Sequence, residues 1–182
     1  MNNTTQSFFH PSKRSESGQA FIEFSFVLMM MAVMLFGLID FGRFIYERQV
    51  MVNLSREGSN LASRGTDITN AAAGVMASSS PLNLNVYGSG VIITAVTNGG
   101  SGQFFIRAQF PTGGVTAAAS KVGNGPGAPA TLSILSANVP PANETLYVTE
   151  VFSGFTSVTP IGNLLQLVMP PTNYDVAYFT GL

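Results

Sequence analysis

The chain contains no cysteine. Disulfides, thiol nucleophiles and cysteine-type zinc sites are therefore excluded. His10 is its single histidine, so neither a His-dependent triad nor a histidine-cluster metal site can be assembled. Charged side chains are only 9 % of the 182 residues, against roughly a quarter in an ordinary soluble domain. The formal net charge is −1, so no basic face for nucleic acid exists. Proline is missing from the whole stretch between Pro11 and Pro81, which removes the strongest helix breaker from it. The carboxylates Glu144, Glu150 and Asp175 are too few and too scattered to form a general acid–base pair. No enzyme, no metal and no cofactor is expected.

What is present falls into three parts. Residues 1–18 (MNNTTQSFFHPSKRSESG) are polar and lack hydrophobic periodicity, so they read as an unstructured leader. Residues 19–65 read as one long helix. Between Phe24 and Ile39 only Ser25 is polar, and with Ala20, Phe21 and Ile22 the run approaches the ~20 residues that cross a bilayer. Beyond Asp40 the side chains of Phe41, Phe44, Ile45, Met51, Leu54 and Leu61 recur at mostly three- and four-residue steps. They form one apolar stripe. Arg43 and Glu47 are spaced to pair on the polar side. Such a helix is about 70 Å long, half of it projecting from the lipid. Gly65 is its expected C-terminal cap.

Residues 66–182 carry six charged side chains: Asp67, Arg107, Lys121, Glu144, Glu150 and Asp175. Thr66 or Asp67 can cap a short helix running to about Ser78, with Ile68, Ala72, Val75 and Met76 on one face. Four segments rich in β-branched and aromatic residues read as strands: GVIITAVT (90–97), QFFIRAQF (103–110), TLYVTEVF (145–152) and YDVAYFTG (174–181). NGGSG joins the first two as a hairpin connector. GNGPGAPA (123–130) and Pro140-Pro141 read as loops. LLQLVM (164–169) fits a helical turn or a strand, and its six residues do not decide between them. The expected fold is α+β: a long transmembrane and amphipathic helix, a short helix, then a small antiparallel sheet.

A cleaved secretory signal needs a short apolar core followed by a small-residue site. Here the core is longer and ends in Ile-Asp-Phe-Gly-Arg, so a permanent anchor is expected. Lys13 and Arg14 precede the span, while Arg43, Arg48 and Arg56 follow it. Charge counting therefore assigns no sidedness. Glu23 is the anomaly. An ionisable group costs about 2.5–3.5 kcal/mol at mid-bilayer and less near an end, and Glu23 lies about 6 Å in from Gln19. In one reading it reaches back to the headgroups. In the other it has a partner. Cutting the chain after Gly18 would give Gln19 a free amine, largely protonated near neutral pH (usual pKa about 7.7–8.0). That ammonium on one subunit could pair with Glu23 of a neighbour and drive lateral assembly of spans.

Gly18, Gln19-Ala20-Phe21-Ile22 and Glu23-Phe24, followed by an apolar helix, resemble the class III signal of type IV pilin-like proteins. In those, a prepilin peptidase cuts after the glycine, and the glutamate at the fifth mature position is associated with assembly. Major Flp pilins usually have Glu-Tyr at this point, whereas here it is Glu-Phe. Residues 18–65 resemble more closely the TadE-like family, minor pilins (pseudopilins) of the bacterial tight-adherence pilus system. The matching elements are Gly18-Gln19-Ala20, Glu23-Phe24, the GLIDFGR segment from Gly37 to Arg43, and Ser55-Arg56-Glu57-Gly58. The second half follows that family only in the order of its elements.

The resemblance implies a cytoplasmic leader (1–18), a span in the bacterial inner membrane (19–65) and an extracytoplasmic domain (66–182). It implies a prepilin peptidase, other pilins, the inner-membrane assembly platform and the lipid bilayer as partners, and a role in pilus assembly. The processing site would be Gly18 and Gln19, and the assembly residues Glu23 and Phe24. Asp40 and Arg43 read either as charges marking the lipid boundary or as a contact to a neighbouring subunit. In Ser55-Arg56-Glu57-Gly58, Gly58 lets the helix pack closely on the sheet while Arg56 and Glu57 stay solvated, or the four form a partner surface. The alternative to a pilin is an uncleaved, single-span surface protein whose β domain binds a ligand or an adhesion partner.

Overall fold

The computed structural model describes residues 14–100, 103–131, 141–142, 144–162, 167, 170 and 172–181. Helix α1 (Arg14–Ser63) is continuous over fifty residues. It starts inside the segment read as unstructured leader. Periodicity reports burial, not helix formation. Extending an existing helix by one turn costs little once the span has nucleated it, and no proline lies between Pro11 and Pro81 to oppose it. At the other end, Gly65 has a φ of +93°. Its N–H donates to Ala62 O at 3.2 Å, and the Thr66 N–H donates to Leu61 O at 3.2 Å. This is the left-handed cap in which glycine is favoured. Helix α2 (Ile68–Ala77) starts at once, its first turn capped by the Asp67 carboxylate, which accepts from Thr69 N–H at 2.8 Å.

The strands are β1 (Gly90–Asn98), β2 (Phe104–Gly113), β3 (Thr145–Gly154) and β4 (Thr172–Thr180). All pair antiparallel, in the order β2-β1-β3-β4. Every expected strand is found. β2 runs through Pro111 to Gly113, further than its composition indicated. Proline is tolerated there because β2 is an edge strand. Of the loops read from sequence, Pro140 lies outside the described residues; so does the segment 164–169, read as a helical turn or a strand, except for Leu167.

One face of the sheet carries Val91, Ile93, Val151 and Phe110 onto Met51 and Leu54 of α1 and onto Ala71, Ala72 and Val75 of α2. The opposite face carries Val96, Leu146 and Val148, closed by Val122 from the segment between β2 and β3. That segment also lines the β2 edge: the Ile106 N–H donates to Ala128 O at 2.9 Å and the Ala130 N–H to Phe104 O at 2.8 Å. The sheet is thus sandwiched between helices and a loop layer, with its central strands β1 and β3 mostly buried.

Candidate functional site

The apolar part of α1 stands clear of this sandwich. None of its most apolar window is buried within the protein. Phe21, Phe24, Phe26, Met34 and Leu38 are each more than 60 % exposed. A core helix of a soluble domain would bury one side, so this exposure suggests a single-pass membrane anchor.

At its beginning, Gly18 and Gln19 are exposed, with open space around the Gly18 Cα. Gln19 Nε2 donates to Glu23 Oε1 at 3.0 Å. Within one chain, then, the Glu23 carboxylate is met by a neutral amide from the previous turn, not by a charge. Phe24 beside it projects freely. The sequence-read processing and assembly residues are therefore adjacent and accessible.

Asp40 is in a different situation. It is fully buried, and its partners come from the stretch after β3. The hydroxyls of Ser157 and Thr159 both donate to Oδ2, and the Val158 N–H donates to Oδ1 at 3.1 Å. Just above, Phe44 meets Phe155 edge-on with ring centroids 5.4 Å apart. The carboxylate that ends the apolar run is thus engaged within its own chain. Arg43 pairs with Glu47 at 3.2 Å, as its spacing indicated.

Further along, the small residues of α1 touch the sheet. Ser55 Oγ donates to Asp175 Oδ2 at 2.5 Å and Ser59 Oγ to the Ala177 carbonyl at 2.9 Å. A Cβ on Gly58 would lie 2.8 Å from both Cγ2 and Oγ1 of Thr149, so only glycine permits this approach. Arg56 and Glu57 are exposed. Sequence reasoning placed Gly58 correctly but missed Ser55, Ser59 and Asp40 as contacts. It also overestimated the apolar stripe: Met51 and Leu54 are buried, whereas Phe41 and Ile45 are exposed. The buried face runs through Asp40, Glu47, Met51, Leu54, Ser55, Ser59 and Ala62. The spacing of these residues is helical, but their hydrophobicity is mixed.

On the far face of the sheet Glu150 is fully buried. It accepts from Ser120 Oγ, from the Lys121 N–H at 2.8 Å and from Tyr174 OH at 3.0 Å. These donors satisfy it, and it faces loop rather than a cleft. Among the described residues no group of three His, Asp or Glu could hold a metal ion. The residues that the sequence offers for processing, assembly and the lipid boundary all lie on α1.

Comparison with known proteins agrees. No curated protein and no solved structure matches the chain. Residues 18–60 match the family model described as TadE-like protein. The match covers the helix from Gly18 past Ser59 and leaves the sheet unmatched. It bears out the resemblance carried by Gly18, Glu23, the GLIDFGR segment and Ser55 to Gly58, and over its long N-terminal helix the chain is similar to the TadE-like, pilus-associated proteins.

Proposed function

We propose that this protein is a membrane-anchored minor pilin of a tight-adherence pilus, matured by prepilin peptidase between Gly18 and Gln19. The observation that carries the reading is the exposed arrangement at the start of α1. Gly18, Gln19 and Glu23 lie in the matched segment, unobstructed by the rest of the fold. Cleavage places a protonated amine at the helix start. The Glu23 carboxylate, four residues along, then has an ammonium rather than an amide available from a neighbouring subunit, which offsets the desolvation of both charges in lipid. The protein acts through assembly and not through catalysis. Its partners in this reading are the peptidase, other pilins and the inner-membrane assembly platform, with the sheet domain on the extracytoplasmic side.

Mass spectrometry of the protein from the membrane fraction tests the reading. A mature N-terminus at Gln19, lost when the peptidase is deleted, is the expected result. A chain beginning at Met1 in cells that assemble the pilus would sink it.

A further inference from the structure

The end of the span is closer to the sheet domain than a simple anchor requires. Glu23 and Asp40 are seventeen residues apart, about 26 Å along a helix, which is less than the ~30 Å of a hydrocarbon core. With Glu23 one turn inside one lipid boundary, Asp40 lies at the other. The exposed apolar surface of α1 agrees, because it does not stop at Asp40. Phe41, Ile45 and Tyr46 are 51 %, 41 % and 55 % exposed, and no large apolar side chain is exposed on α1 beyond Tyr46. Tyr46 stands about 35 Å from Glu23 by helical rise, in the layer where tyrosines collect at membrane surfaces.

The stretch after β3 is tied to α1 at this depth. Val158 N–H is bound to Asp40, with Ser157 and Thr159 on either side. The Val158 side chain nevertheless points away from the protein and is 63 % exposed. Pro160 is exposed as well. Residues 151–174 contain no charged side chain at all. Asp40 is fully buried, so its carboxylate must accept from the protein. Irregular backbone is tolerated at membrane depth only where its polar groups meet protein partners, and here the two needs satisfy each other.

We infer that the segment 156–160 is a membrane contact. The sheet domain sits down on the bilayer that holds α1, with Val158 entering the boundary between headgroups and acyl chains. The inference rests on the anchor reading of α1.

The chain has no tryptophan, so a single introduced one reports its own surroundings. Full-length Val158→Trp, in phosphatidylethanolamine/phosphatidylglycerol vesicles, is compared with Met34→Trp in the span and Ala142→Trp on the outer domain. Quenching is read with acyl-brominated lipid and with aqueous iodide. Val158→Trp is expected to emit to the blue of Ala142→Trp, to lose most of its emission to brominated lipid and to resist iodide. Quenching of Met34→Trp by brominated lipid while Val158→Trp responds only to iodide overturns the contact and leaves the anchor standing. Failure of brominated lipid to quench even Met34→Trp overturns both. Protection of Val158→Trp from both quenchers means that protein covers the loop, and also overturns the contact.

Discussion

Single residues in this fold act through what they lack or what they hide. Gly58 lacks a Cβ where one would press on Thr149 and Val75. Gly58→Ala should therefore cost about 1–3 kcal/mol by overpacking, seen as a lower thermal midpoint in detergent, and Thr149→Ser in the same chain should recover part of the loss. Tyr174 hides a phenol. Burial, and then the charge of Glu150 and the hydrogen bond to it, push its pKa well above the usual value near 10. The sign follows from linkage. Because the folded state holds this proton more tightly, the contribution is complete below pH ~10 and is lost as the pH rises beyond it. Denaturant midpoints measured through that range should fall with pH, and Tyr174→Phe should flatten the fall. An unchanged slope in the variant would assign the alkaline sensitivity to another group.

At the scale of elements, the joint between α1 and the stretch after β3 depends on Asp40. Asp40→Ala leaves two hydroxyls and the Val158 N–H without their acceptor. Faster amide exchange confined to residues 155–162 is expected, with β1 and β3 unchanged; equal protection in the variant would show that Phe155 and its neighbours hold the loop alone. This joint could not be read from the sequence, whereas the elements it connects could. The span, α2 with its Asp67 cap and all four strands follow from local periodicity and composition, which the backbone obeys directly. The Asp40 contact joins residues 117 to 119 positions apart, and no local pattern carries it. The same holds for Ser55 and Ser59, which look like surface residues until β4 arrives opposite them. Strand order was illegible for a related reason. It depends on which edge the chain returns to after the long connection from β2 to β3, not on any one segment. Of the candidate site, Gly18, Gln19 and Glu23 could be singled out because the proposed roles depend only on spacing along one helix.

For the whole molecule, the proposed function makes anchoring and assembly separable. The Glu23 carboxylate is hydrogen-bonded to Gln19 of its own helix, in the part of α1 that stands clear of the sheet domain. Glu23→Ala should thus insert and fold normally, with unchanged membrane fractionation and thermal midpoint, while pilus assembly on the cell surface is lost. Full piliation by the variant would refute the pairing role. The long shared boundary of helix and sheet also has a mechanical meaning. Gly58 lies at Thr149 while Asp40 lies at Ser157, so the chain descends along the helix as α1 is followed back toward its start. About 27 Å of helical rise separates those two contacts. A force drawing α1 out of the bilayer along its axis loads the Asp40, Ser55, Gly58 and Ser59 contacts together, in shear. A force directed sideways would peel them apart one at a time. The domain is therefore built to follow its anchor when pulled lengthwise.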